Sequence, residues 1–295
     1  MPAYYLIVNP KSGYKKGLSI LKQVEGEFKD TNIELSIKVS EYKNHPYDLA
    51  KSISFEGYDG LCVIGGDGTM HEVINGMMDR PDNRRLPIGL IPAGTGNSLM
   101  HDLDCVKPQK AIDNIKSHKL RKLDLFEIEA NGKSLYGFNI LGWGVPVDIN
   151  TLAEKMRWLR GQRYNVASLI EVMKNRARKV KIIIDDETIE GRYSIFLACN
   201  TMYTGNGMKM APQAKMDDGY IDILIAKKVS RIKLLRLFAK VFSGKHMRDP
   251  VINWYRAKEF SVITDDNQKL NIDGQPTGHT PIHARMLTEK LDIFG

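Results

Sequence analysis

Along roughly the first 120 residues, apolar positions alternate between two spacings. Tyr4–Val8, Ile33–Val39, Leu61–Ile64 and Ile88–Ile91 are short apolar or alternating runs that predict strands. Between and after them come stretches with apolar residues three or four apart, which predict helices. These are Gly17–Phe28 (through Leu18, Leu21, Val24 and Phe28), His45–Ile53, a segment carrying Met70, Val73, Ile74 and Met77, and Leu99 onward. Such alternation predicts a parallel sheet with helices on both faces, whose ligands gather at the carboxyl ends of its strands.

Beyond Lys122 the pattern becomes β-rich. Leu123–Ile128, Leu135–Leu141, Val180–Ile184, Tyr193–Ala198, Tyr220–Ile225, Phe260–Thr264 and Lys269–Ile272 predict strands, with turn signals such as Asn131-Gly132 and Asp185-Asp186 between them. Two helices interrupt, Thr151–Lys174 and Ser230–Ser243. The expected fold class is therefore an α/β N-terminal domain (parallel sheet with helices on both faces) plus a β-rich antiparallel sandwich C-terminal domain. The boundary is expected between 1–122 and 123–295, with room for the last residues to return to the first domain.

Composition narrows the class. A chain of 295 residues can bury two sizeable cores, and no stretch has the continuous apolar length needed to cross a bilayer. The N-terminus has no charged leader and reads as a first strand. Cys62, Cys105 and Cys199 lack metal-type spacing and read as reduced core residues of a cytoplasmic protein.

The net charge of +8 is concentrated. Residues 155–181 hold nine Lys/Arg against Glu171 alone, and 227–258 hold ten against Asp249 alone. This suits a polyanion such as nucleotide phosphates or an anionic membrane surface, although a solvated basic face accounts equally well for either cluster alone. Nucleic acid is set aside, because the basic segments carry no recognition module and few interleaved aromatics. Ile232, Leu234, Leu235, Leu237, Phe238, Val241 and Phe242, set among Arg231, Lys233, Arg236 and Lys240, form an amphipathic basic helix. It either packs on a sheet or rests peripherally on a membrane.

The chemistry is concentrated in two glycine turns. Gly65-Gly66-Asp67-Gly68-Thr69 follows Leu61–Ile64, and Pro92-Ala93-Gly94-Thr95-Gly96-Asn97 follows Ile88–Ile91. A buried strand ending in such a turn brings bare main-chain N–H groups to a ligand, and the following helix adds its positive end. Phosphate is the natural guest. Tight strand–helix connections are the plainer alternative for each turn taken singly.

With Asn9-Pro10-Lys11-Ser12-Gly13 ahead of them, these turns resemble the ordered signature of the diacylglycerol kinase and sphingosine kinase catalytic domain. Asp217-Asp218-Gly219 and Asp273-Gly274 fall where that family has its later motifs. Met70–Gly76 with Arg80-Pro81-Asp82, Gly142-Trp143-Gly144 with Asp148, Glu154–Arg157 with Arg163, and Phe242–Met247 resemble the sphingosine kinase branch. The resemblance implies a lipid kinase using ATP and Mg²⁺, with a membrane lipid, best a sphingoid base, as substrate. Diacylglycerol, or a weakly catalytic lipid-binding or nucleotide-binding protein, is the alternative. It also implies peripheral membrane association of a cytoplasmic protein, and leaves a homodimer open.

Residue by residue, the resemblance assigns nucleotide contacts to Asn9, Lys11, Ser12, Gly13, Gly65, Gly66, Gly68, Thr69, Glu72, Gly94, Thr95, Gly96, Asn97, Arg157, Arg163 and Gln275. Asp67 is the first choice for the base that takes the substrate's hydroxyl proton, with a helix cap as its plainer role. Asp273 is the rival, as base or as Mg²⁺ ligand. Glu72 either orients one of these or is an ordinary first-turn acid. Arg157 and Arg163 resemble phosphate-contacting arginines. Asp148 resembles the acid that holds the lipid head group, or is an exposed loop aspartate. Gln275 stands where the family usually has Glu, a neutral amide in place of a charge.

Overall fold

The structure is a computed structural model that describes residues 1–130, 132–174, 176–205 and 207–295, apart from the side chains of Tyr14, Arg157 and Arg160. Its chain forms two units, Met1–Asp124 with Glu289–Gly295, and Leu125–Thr288.

The first unit is an α/β layer structure. Its elements are β1 (Ala3–Val8), α1 (Ser12–Lys15), α2 (Gly17–Phe28), β2 (Glu34–Val39), α3 (His45–Ser52), β3 (Gly60–Gly65), α4 (Asp67–Met78), β4 (Ile88–Pro92), α5 (Ser98–Asp102) and α6 (Pro108–Lys116). β1 pairs in parallel with both β2 and β3, β3 pairs with β4, and Ile293 adds a parallel partner to Ile88. The strand order is β2-β1-β3-β4. Every residue of β3 and β4 is buried, as expected of parallel strands covered on both faces, whereas the edge strand β2 has no buried residue. α3 packs on α4 and α2 on α6, which places helices on both faces.

This order has one consequence for function. The chain leaves β1 towards β2 on one side and returns past β1 to β3 on the other. The gap between the carboxyl ends of β1 and β3 is therefore a topological switch point, where open α/β sheets bind ligands.

The second unit is an antiparallel β sandwich. Its elements are β5 (Leu120–Ala130, which begins in the first unit), β6 (Lys133–Gly137), β7 (Ile140–Gly144), α7 (Val145–Lys155), a 3₁₀ turn (Arg157–Gln162), α8 (Arg163–Lys174), β8 (Arg178–Ile184), β9 (Glu187–Cys199), β10 (Tyr203–Thr204), β11 (Met208–Lys209), β12 (Ile221–Lys227), α9 (Arg231–Val241), a 3₁₀ turn (Lys245–Arg248), β13 (Ile252–Ala257), β14 (Glu259–Ile263), β15 (Asn271–Ile272) and β16 (Ile282–Phe294, which ends in the first unit). The long β9 organises them: its first half pairs with β8, and its second half lies between β12 and β7. Trp143, Phe126, Phe196 and Phe260 are fully buried in the core this creates, and the Trp143 indole N–H donates to the Gln268 side chain at 3.0 Å.

Four differences from the sequence expectation have physical causes. The helix expected over Thr151–Lys174 starts earlier, with Pro146 in its first turn, and breaks at Met156 (φ −101°, ψ 29°) into a 3₁₀ turn that contains Gly161. The strand expected over Leu135–Leu141 is split at Phe138-Asn139, whose N–H groups turn inward to a carboxylate. β13 lies outside the expected strands because it exposes Asn253, Trp254 and Arg256 and so shows no apolar–polar alternation. β16 alternates apolar and polar residues up to Met286, then loses the pattern at Glu289, which has φ 48°. The Asn131-Gly132 turn signal falls partly on Asn131, outside the described residues.

All three cysteines are free and buried, and burial pushes the thiols of Cys62 and Cys105 up to about 12 and about 11. Among the described residues no helix is long and apolar enough to cross a membrane. α9 buries Leu234, Leu237 and Val241 against its unit, yet leaves Ile232 and Phe242 exposed. Ser230 caps it, accepting from the Lys233 N–H.

Candidate functional site

Three loops of the first unit meet at the switch point. The loop after β1 is tied to the loop after β3 by Asn9. Its N–H donates to the Ile64 carbonyl (2.9 Å), and its side-chain amide donates to the Thr69 hydroxyl (2.9 Å). Its side-chain carbonyl accepts from the Lys11 N–H (3.0 Å), which fixes the turn that carries the exposed Lys11 and half-buried Ser12. Gly13, at φ 51°, lies against the loop after β4: a Cβ there would stand 1.8 Å from the Ala93 carbonyl oxygen.

The loops after β3 and β4 cross at their glycines. A Cβ on Gly66 would lie 2.8 Å from the Gly94 Cα, and one on Gly94 would lie 2.6 Å from the Gly66 Cα. The N–H groups of Ala93 and Gly94 both donate to the Gly65 carbonyl, at 2.7 and 3.1 Å. Main chain is thus packed on main chain, as a phosphate cradle requires. α4 starts at this crossing, and no side chain caps it at Gly66. Its first amides are of the kind that bind anions.

Asp67 occupies the first turn of α4. One carboxylate oxygen accepts from the Ser98 N–H at 2.7 Å and the other from the Ser98 hydroxyl at 3.1 Å. The carboxylate therefore spans from the second loop to the start of α5. Asn97, at φ 50°, donates from its side chain to the Gly94 carbonyl at 2.9 Å. Its carbonyl oxygen is buried without a hydrogen-bond partner among the described residues. Thr95 is exposed, and Gly68 and Gly96 are partly so. Glu72 points elsewhere: it accepts from the Asn44 N–H at the start of α3, and burial raises its carboxyl despite that bond and nearby His71 and Lys43.

The remaining expected residues lie in the second unit. Asp273 and Gly274 form a two-residue hairpin turn between Ile272 and Gln275, with φ 51° and 84°. The Asp273 carboxylate is buried, and its oxygens accept from the N–H groups of Phe138 (3.1 Å), Asn139 (2.8 Å) and Ile140 (3.1 Å). Gln275 is exposed. The Asn150 side chain donates to the Gly274 carbonyl at 2.6 Å and accepts from the Tyr164 hydroxyl at 3.4 Å, which ties this turn to α7 and α8. Arg163 pairs with Glu154 at 3.1 Å and lies over the Tyr164 ring. The side chain of Arg157 lies outside the described residues.

Asp148, in the first turn of α7, is held by Arg178. One guanidinium nitrogen donates to both carboxylate oxygens, at 2.8 and 2.7 Å. Sequence reasoning did not single out Ser98, Arg178 or the three amides at 138–140. Of these, only Ser98 carried a signal, as a small hydroxyl residue at a helix start.

The residues at the switch point fit a nucleotide phosphate: the crossing excludes side chains, and the first amides of α4 have no side-chain cap. For Mg²⁺, the same loops supply one carboxylate, Asp67, and the Asn97 amide oxygen. That suits an ion which takes one or two carboxylates and completes its shell with phosphates and water. No group of three or more His, Cys, Asp or Glu poised for a metal occurs among the described residues.

The diacylglycerol kinase catalytic domain matches residues 3–128, and the YegS C-terminal NAD kinase beta sandwich-like domain matches residues 139–295. A diacylglycerol kinase of Bacillus subtilis (strain 168) is 28% identical, covering 97% of both chains. Sphingosine kinase 2 of Arabidopsis thaliana is 27% identical over 90% of this chain, which spans only 66% of that protein's length. A solved structure, a putative diacylglycerol kinase from Bacillus anthracis str. Sterne, superposes with TM-score 0.81 at 24% identity, covering 99% of this chain and 96% of that one. An NAD kinase from Archaeoglobus fulgidus in complex with ATP shares the fold more distantly, with TM-score 0.53 at 12% identity over 99% and 93% of the two chains.

Proposed function

Because the chain belongs to the diacylglycerol kinase and sphingosine kinase family of lipid kinases, we propose that it transfers the γ-phosphate of ATP to the hydroxyl of a neutral glycerolipid of the diacylglycerol kind. The observation that carries the kinase reading is the crossing of Gly66 and Gly94 after β3 and β4, next to the β1/β3 switch point. Phosphoryl transfer asks a protein chiefly to position phosphates and neutralise their charge, and crossed glycine backbones beside an uncapped helix start are suited to both.

In this reading the lipid hydroxyl oxygen attacks the γ-phosphorus, the bond from that phosphorus to the departing ADP oxygen breaks, and the hydroxyl proton passes to Asp67. Ser98 orients the Asp67 carboxylate through both of its oxygens. Mg²⁺ would neutralise phosphate charge, with the Asn97 carbonyl oxygen available to it beside the phosphates. Asn9 and Gly13 hold the first loop against the other two. Asp273 is left out of the metal site and given a positioning role, because its oxygens already hold three main-chain amides.

The choice of a neutral acceptor rests on Arg178. A carboxylate paired with a guanidinium offers little to a cationic amine, so Asp148 does not recommend a sphingoid base. A sphingoid base is the second reading, favoured by the similarity to the plant sphingosine kinase. The exposed Ile232 and Phe242 beside the cations of α9 supply a peripheral contact for an anionic membrane, where either substrate resides.

A labelled-ATP assay with Mg²⁺ on mixed micelles, offering diacylglycerol, sphingosine and ceramide in parallel, tests the reading. Labelled phosphatidic acid is the expected product. Labelled sphingosine 1-phosphate instead would move the substrate to the second reading. No labelled lipid from folded protein would end the kinase assignment.

A further inference from the structure

The Asp148–Arg178 pair forms part of the wall of a cavity of about 500 Å³ within the second unit. α7, α8, the start of β8 and the segment before β15 line it, and it is open to solvent. Few apolar side chains contribute, chiefly Val147 and Leu152, so it is poorly suited to an acyl chain. Its lining is instead charged and unbalanced, with Lys155, Lys174, Arg176, Arg178 and Lys269 against Asp148, Glu171 and Asp266.

Two of the five cations are already matched. Lys174 pairs with Glu171 at 2.5 Å, and Arg178 pairs with Asp148. The third acid, Asp266, accepts from the Gln268 side chain at 2.7 Å. Lys155, Arg176 and Lys269 make no ion pair among the described residues. In addition, the second terminal nitrogen of Arg178 is buried with no acceptor among the described residues. Three cations without an acidic partner on one cavity wall, against the single unpaired acid Asp266, favour a bound anion.

We propose that this cavity binds a phosphate group, taken up between Arg176, Lys155 and Lys269. Several donors converging on a small volume match the three or four acceptor oxygens of a phosphate, and guanidinium groups suit its geometry. The phosphate arrives either free or as the head group of an anionic phospholipid. The proposal goes beyond the catalytic reading: it requires neither ATP nor turnover.

The test titrates the full-length chain with inorganic phosphate by calorimetry, comparing wild type with Arg176→Gln/Lys269→Gln. Both positions are exposed, so folding is expected to persist, and Lys155→Gln alone serves as a milder second variant. Loss of two charge-assisted contacts is expected to weaken phosphate binding at least about tenfold. Phosphate bound by the glycine turns persists in both proteins and cancels in the comparison. Parallel sedimentation uses vesicles of phosphatidylcholine with and without phosphatidic acid. If the double variant also loses binding to the phosphatidic acid vesicles, the source is a lipid head group; if only the inorganic phosphate titration weakens, it is free phosphate. Unchanged phosphate affinity in both variants overturns the proposal.

Discussion

Asp67 and Ser98 are joined twice, backbone N–H to one carboxylate oxygen at 2.7 Å and hydroxyl to the other at 3.1 Å. A serine 31 residues away thereby sets the orientation of the carboxylate proposed to receive the substrate proton. The two residues should then differ in kind when changed. Asp67→Asn is expected to lower turnover by about 10²–10⁴-fold, the usual contribution of a general base. Ser98→Ala keeps the backbone donor and removes one hydrogen bond, so it should lose about 0.5–1.5 kcal/mol of stability and a far smaller share of the rate. Turnover and urea unfolding of both variants check this, and an active Asp67→Asn protein would remove Asp67 from the mechanism.

Gly94→Ala probes the crossing itself. The added methyl would lie 2.6 Å from the Gly66 Cα and 2.8 Å from the Asn97 carbonyl oxygen, both within the proposed phosphate cradle. The loops must separate to admit it. Affinity for ATP, measured by fluorescence with a labelled analogue, should fall by at least about tenfold while the protein stays folded. Gly132→Ala is a fair comparison, since nothing lies within 4 Å of a Cβ there, although its φ of 72° adds strain of its own.

Substrate choice turns on Arg178. Arg178→Gln strips the guanidinium from Asp148 and leaves its carboxylate without a cation. Sphingosine phosphorylation should then rise relative to diacylglycerol, by about tenfold if one ion pair to the amine is gained. The ratio of the two labelled products in one micelle assay reads it directly. An unchanged ratio would mean that Asp148 lies away from the head group.

His246 provides a pH signature. It is buried, with one ring nitrogen hydrogen-bonded to the Met210 carbonyl at 2.9 Å and the other without a partner among the described residues. Burial lowers its pKa below the ordinary imidazole value, with the Met210 bond opposing. In the unfolded chain the ring takes a proton at the ordinary value, whereas the folded chain resists it. The unfolded state thus binds more protons, and stability falls as pH drops through and below that value. His101, also lowered by burial, acts in the same direction. Each contributes a slope of at most about 1.4 kcal/mol per pH unit. Urea unfolding at pH 7.5 and 5.5 should show this loss in the wild type and a smaller one in His246→Gln.

The first unit was legible because two-sided burial writes itself as unbroken apolar runs: all of β3 and β4 is buried, and glycine is forced where Gly66 meets Gly94. Asn9 could be placed for the same reason, at the end of such a run. The second unit was harder. β13 carries Asn253, Trp254 and Arg256 outward, so its alternation drowns in the basic segment around it, and β16 changes phase at Glu289. Pairings across the fold left no local trace. Arg178 lies 30 residues from Asp148, and the amides that hold Asp273 lie more than 130 residues from it. The Asp273-Gly274 dipeptide did carry a second signal, since Asp-Gly between short strands also marks a tight hairpin turn.

That double meaning makes Asp273 the sharpest test of how far the resemblance extends. A catalytic aspartate and an architectural one both lose activity when replaced, so activity alone does not separate them. Stability does. Asp273→Ala leaves the N–H groups of Phe138, Asn139 and Ile140 buried without their acceptor. At about 1 kcal/mol or more per orphaned donor, the loss is about 3 kcal/mol, or a fall of about 6–12 °C in the unfolding midpoint. Asp273→Asn keeps one acceptor oxygen and should recover part of that stability. If the residue is architectural, turnover per folded molecule should follow stability across Asp, Asn and Ala. If instead Asp273→Asn is as stable as wild type and inactive, the carboxylate charge takes part in the reaction, and the positioning role given to it here is wrong.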